Sequence, residues 1–96
     1  MVRHIVLFKF KGDAAEDDRK GLIEALRGLK DRISVVRELE VGEDIGGKPN
    51  SYDIALNSVF DNFEDVEAYA VHPEHVKVVD MVRERCEASV KVDFEF

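Results

Sequence analysis

Val2-Arg3-His4-Ile5-Val6-Leu7-Phe8-Lys9-Phe10 opens the chain with a period of two. Val2, His4, Val6, Phe8 and Phe10 fall on one side and Arg3, Ile5, Leu7 and Lys9 on the other, which makes a strand with two largely apolar faces. Both faces therefore have to be covered. Downstream, Asp13 followed by Glu16 reads as a capping box, and Leu22, Ile23, Leu26, Leu29 and Ile33 recur along one helical stripe that Gly21 and Gly28 weaken without breaking. Residues 35–41 read as a second strand, 42–51 as a loop too long for a tight hairpin, and 52–60 as a third strand. Residues 62–69 form a short helix, and 73–87 a further helical segment carrying Val76, Val79, Val82 and Cys86. In the last strand Val90, Val92, Phe94 and Phe96 alternate with Lys91, Asp93 and Glu95.

The order is βαββαβ, with the second helix interrupted at His72-Pro73. That order predicts an α+β, ferredoxin-like fold in which a four-stranded antiparallel sheet carries its helices on one face. A monomer of this kind leaves the other sheet face bare. A strand with two apolar faces then requires a second copy to pack sheet to sheet, so the expectation is a two-fold homodimer closing an α/β barrel.

With 96 residues there is room for one core, and residues 1–96 read as a single domain. The formal charge of −7 opposes binding to nucleic acid or to anionic lipid, and no local basic cluster offsets it. The longest apolar runs fall far short of the roughly 20 residues that span a bilayer, and the first residues lack a signal-peptide h-region, so a cytoplasmic location is expected. The single cysteine, Cys86, falls in the apolar rhythm of the last helix and reads as a packing residue.

Chemistry concentrates in Tyr69-Ala70-Val71-His72-Pro73-Glu74-His75, where a phenol and two imidazoles surround a proline. Pro73 fixes its own φ and pushes His72 out of the α region, which suits His72 as an N-cap and Pro73 as the first helical residue. His75 falls in the first turn, where unpaired amides and the positive end of the helix dipole favour a neutral ring able to accept a proton. On the strand, His4 shares its face with Val2, Val6 and Phe8 and needs a hydrogen-bond partner or a ligand there.

These residues, together with the opening strand and the Tyr-x-x-His-Pro-x-His pattern, resemble the stress-responsive dimeric α/β-barrel family. Its members include plant heat-stable stress proteins and a polyketide cyclase. The resemblance covers nearly the whole chain and implies the same fold and dimer. It also implies a pocket between sheet and helices in which His75 matches a general base, Tyr69 a phenol that orients or polarises the substrate, and His4 a supporting hydrogen bonder. Val6, Phe8, Phe60, Val71, Val76 and Met81 would set the pocket's size, and His72 joins them as a binding residue unless it serves only as a helix cap.

No cofactor is expected. His72 and His75 lack the same-face spacing of a helical metal pair because Pro73 starts the helix between them, and His4 would have to join from across the core. Some relatives carry magnesium near the loop after the first helix, but residues 32–36 hold no carboxylate cluster that would require it. The leading functional expectation is a homodimer that binds a small apolar or aromatic molecule near Tyr69 and His75. A cofactor-independent cyclase or isomerase acting on a carbonyl substrate is the first alternative, and a cofactor-free monooxygenase the second.

Overall fold

Alternation along the opening strand sets the sheet. The computed structural model describes residues 1–96 and orders the elements as β1 (Val2–Phe10), α1 (Glu16–Arg27), α2 (Leu29–Arg32), β2 (Glu38–Glu43), β3 (Ile54–Phe60), α3 (Phe63–Val71), α4 (Pro73–Arg85) and β4 (Cys86–Glu95). The strands lie in the order β2-β3-β1-β4, and every neighbouring pair is antiparallel. All four helices lie over the face that carries Val2, His4, Val6 and Phe8. The core forms there from Phe8, Phe10, Leu22, Leu26, Leu29, Ile33, Leu56, Phe60, Val66 and Tyr69, among others. Each fully buried Leu, Ile or Phe contributes roughly 1.5–3 kcal/mol, so this one layer supplies most of the driving force for folding.

The opposite face is bare in the single chain. Pairing sets Ile5 beside Val92 and Leu7 beside Val90, with Phe94 next to Arg3. On this face Leu7 is 38%, Val90 50%, Val92 53% and Phe94 43% exposed. A contiguous apolar strip of this kind is unusual on a surface meant for water.

Several boundaries differ from the sequence reading. Asp13 and Glu16 form no capping box: Ala15 is the N-cap of α1 without any side-chain cap, and Glu16 is already helical. Ala14, packed against the core, sets where the chain enters the helix. The long apolar stripe is divided at Gly28, which sits in the αR region (φ −69, ψ −15) between α1 and α2, yet Leu29 and Ile33 remain buried. β2 starts at Glu38 rather than residue 35, because its ladder with β3 begins at the Glu38–Val59 pair while Val36 is turned into the core. β3 starts at Ile54. Asp53 just before it bridges outward, donating its N–H to the Phe8 carbonyl at 2.8 Å and accepting the Phe10 N–H at 2.7 Å. α4 ends at Arg85, and Cys86 is the first residue of β4, extended (φ −112, ψ 142) and paired with Phe10. It is buried as expected, but from a strand.

Candidate functional site

Two short-range devices place the key side chains. α3 starts at Asn62, whose side-chain oxygen accepts the Asp65 N–H at 2.8 Å, and runs to Val71. His72 then takes an extended conformation (φ −63, ψ 136), and its Nδ1 accepts the Glu74 N–H at 3.1 Å with Pro73 as the first residue of α4. His72 is thus the helix cap. The break turns α4 so that His75 comes back over the end of α3 and packs against Tyr69, with ring centroids 4.3 Å apart and planes tilted by 45°.

His4, Tyr69 and His75 meet at one end of a cavity of about 420 Å³ between the sheet and the helices. Its walls are mostly apolar: Val6 and Phe8 from β1, Leu56 from β3, Leu26 from α1, Val66 and Ala70 from α3, and Val78, Val79 and Val82 from α4. Arg83, Ser89 and Lys91 also line it. A volume of this size falls in the range of small-molecule pockets.

The two histidine rings are held in different ways. The His75 Nδ1–H donates to the Ala70 carbonyl at 2.9 Å, which leaves Nε2 as the nitrogen with a free lone pair. Burial lowers the His75 pKa from its ordinary value, and the nearby His4 and His72 act in the same direction; the Ala70 carbonyl opposes them but does not prevail. The ring is therefore neutral at pH 7. The His4 Nδ1–H is paired with the carboxylate of Asp93, its neighbour across the β1–β4 ladder. Burial opposes ionisation of Asp93, but the hydrogen bond and charge of His4 outweigh it and hold the carboxyl below its ordinary range, with Lys91 Nζ 3.4 Å from the second oxygen.

Tyr69 is 2% exposed, and its hydroxyl bonds to no other residue although no fully buried side-chain polar atom lacks a partner. The hydroxyl therefore keeps its small accessible area on the cavity side. Burial pushes its pKa well above the ordinary value, so the phenol stays protonated and can donate. Phe60 packs behind the pair, edge-on to Tyr69 at 5.1 Å and to His4 at 6.2 Å. Burial also raises the Cys86 pKa, reinforced by Asp53, which keeps its thiol protonated and unreactive. Nowhere do three or more His, Cys, Asp or Glu side chains come together as metal ligands.

Of the residues named from the sequence, His4, Val6, Phe8, Tyr69 and His75 line the cavity, whereas Phe60, Val71, His72, Val76 and Met81 do not. Phe60 is fully buried one layer behind. Val71 and Val76 point outward, at 76% and 45% exposure: α3 meets the cavity through Val66, Tyr69 and Ala70, and α4 through His75, Val78, Val79 and Val82, so each valine is one residue out of phase with its helix's cavity face. Met81 packs on the core from another side, and the His72 ring is occupied as the cap. Asp93 is the partner that sequence reasoning missed; it lies in an alternating strand like any solvent-facing acid, with only its register to mark it.

Asp93→Asn should leave the fold intact but weaken the hold on His4, at a cost of roughly 1.5–3 kcal/mol for a charge-assisted bond. A urea titration measures it; an unchanged midpoint would show that His4 is fixed by packing alone.

The family model of the stress responsive A/B barrel domain matches residues 2–96. The chain belongs to this family. As a stress responsive A/B barrel domain it is 36% identical over 98 residues to an uncharacterized protein of Streptomyces coelicolor, with the whole of each chain covered. It is also 24% identical over 95 residues to olivetolic acid cyclase of Cannabis sativa, across 97% of this chain and 94% of the enzyme. Among solved structures, a dimeric protein of unknown function and ferredoxin-like fold from Bacteroides fragilis superposes with a TM-score of 0.85 at 41% identity, covering 99% of this domain and 95% of that chain. The ferredoxin-like fold of this stress responsive A/B barrel domain is thereby shared with its relatives. None of its helices is long and apolar enough to cross a membrane.

Proposed function

We propose that this protein is a homodimer that binds a small apolar or aromatic carbonyl compound between sheet and helices, the carbonyl oxygen taking a hydrogen bond from Tyr69 and the adjacent carbon facing His75. One observation carries the reading: an apolar cavity whose inner end holds a protonated phenol beside an imidazole with Nδ1 tied to Ala70 and Nε2 free. The bare face along Leu7, Val90, Val92 and Phe94, together with the dimeric Bacteroides fragilis relative, supports pairing of two sheets.

Binding is tested by titrating phenyl alkyl ketones while following the imidazole nitrogens by NMR. The His75 Nε2 signal should move on saturation while the His72 ring stays put, and no shift at either would overturn the reading. The pH dependence has a defined sign. In the unfolded chain His75 takes up its proton near 6.5, but in the folded protein it resists until lower pH, so stability and ligand affinity are both retained above 6.5 and fall as pH drops through the lower folded value. Affinity that rose on acidification would contradict a neutral acceptor.

The neutral ring also favours a second reading, turnover without a cofactor. His75 Nε2 would take a proton from the carbon next to the carbonyl, and the Tyr69 hydroxyl would stabilise the enolate oxygen that forms, as cyclisation or isomerisation of a carbonyl substrate requires. A base so placed is worth roughly 10²- to 10⁴-fold in rate. Exchange of the ketone's α-hydrogens for deuterium in heavy water measures it directly: wild type should accelerate exchange and His75→Ala should lose that acceleration. Equal exchange with both proteins would leave a binding protein only.

A further inference from the structure

Arg83 is the only arginine that lines the cavity, and it makes no hydrogen bond or ion pair within the chain. Arg3, Arg19, Arg27, Arg37 and Arg85 are engaged with carbonyls, carboxylates or an amide oxygen, and Arg32, which like Arg83 makes no such bond, ends α2 and does not line the cavity. An unpaired guanidinium beside an apolar space, in a chain with a formal charge of −7, is a cation without a counter-ion of its own.

Its place along the cavity is set by the two elements that form this wall. α4 leads from His75 to Arg83, eight residues and about 12 Å later. β4 returns antiparallel to β1, so Ser89 lies opposite Phe8 and Asp93 opposite His4, about 13 Å apart along the strand. The His4–Tyr69–His75 cluster therefore occupies one end, and Arg83 with the Ser89 hydroxyl the other. Lys91, opposite Val6, stands between them with its ammonium partly engaged by Asp93. The walls between the two ends are valine, leucine and phenylalanine.

We infer that the ligand is an elongated apolar carbonyl compound that carries a carboxylate at its far end, received by the Arg83 guanidinium with help from Ser89, while its carbonyl sits at Tyr69 and His75. This rests on the pocket reading above and adds the charge, length and orientation of the ligand. Arginine suits the task because its planar fork gives a carboxylate two parallel N–H bonds. Nothing inside the chain has to be broken to form them.

The test uses phenyl ketones bearing a carboxylate at the end of an alkyl chain, and the methyl esters of the same compounds, titrated calorimetrically into wild type, Arg83→Gln and Arg83→Lys. Wild type should bind acid about tenfold more tightly than ester. Arg83→Gln should remove that preference without weakening the ester, and Arg83→Lys should restore part of it. Equal binding of acid and ester by wild type, or a preference that survives in Arg83→Gln, overturns the anion site and leaves the pocket reading standing. Binding of neither compound overturns both. Arg83 is exposed at the end of α4, so a circular-dichroism melt of each variant should match wild type.

Discussion

Val92→Asp is expected to leave the protein sedimenting as a single chain of 10.9 kDa at micromolar concentration, and wild type to run at twice that mass. Val92 is paired with Ile5 at the middle of the bare face, with Val90 and Phe94 exposed on either side of it on the same strand. In a sheet-to-sheet dimer the introduced carboxylate would be buried without a partner, a cost of several kcal/mol for each ion. A two-fold axis places two copies in one interface, so even about 4 kcal/mol in total raises the dissociation constant roughly a thousandfold. Glu67→Gln, exposed on α3 in the helical layer away from the bare sheet face, should change little and serves as the control. A wild type that already sediments at the single-chain mass, or a Val92→Asp variant that keeps the double mass, would remove the argument from the two-faced strand.

Phe60→Ala should be the most destabilising of the substitutions considered, by roughly 3–5 kcal/mol. The ring is fully buried where β3 ends, in edge-on contact with both Tyr69 and His4. Removing it takes away apolar burial and leaves a void that its neighbours can fill only by moving. For a domain of this size each kcal/mol lowers Tm by roughly 4–8 °C, so a drop of well over 10 °C is expected in a melt at fixed protein concentration. Phe60→Leu keeps most of the volume and should lose far less. Because Phe60 backs the site without lining it, the leucine variant should also keep ligand affinity, whereas a pocket residue truncated by a similar volume would not. A Phe60→Ala melt within 2 °C or so of wild type would mean that the His4–Phe60–Tyr69 packing carries little energy.

Much of the fold was legible because its signals are local. A period of two along Val2–Phe10, a period of three to four from Leu22 to Ile33, and a proline after His72 each report the conformation of a few consecutive residues. The His72 cap is such a case: the same geometry that keeps the residue before a proline out of the α region also frees its ring for the Glu74 amide. Errors collected where an element's end depends on a distant partner. β4 starts four residues before the expected Val90 because Cys86, Ala88 and Ser89 find partners on β1.

The site was only half legible for the same reason. His4, Tyr69 and His75 stand out by chemistry, and Val6 and Phe8 follow from sharing the face of His4. Val71, Val76 and Met81 did not reach the cavity because a helix's apolar residues do not say which of its flanks meets the sheet; a phase difference of one residue turns a side chain by about 100°. Asp93 and Arg83 gave no sequence signal, since acids and arginines are ordinary at surface positions.

The sequence by itself determined the order of strands and helices, the strand with two apolar faces, the break and cap at His72-Pro73, and the presence of a phenol and imidazoles able to serve one site. Only the tertiary structure decided that His4 is held by Asp93, 89 residues away, that Nδ1 of His75 is spent on Ala70, and that an unpaired Arg83 stands at the far end of the same cavity. Short-range preferences depend on neighbours along the chain. The register of a strand that pairs the two ends of the chain, and the rotation of a helix on its sheet, are settled by burying the whole apolar layer at once.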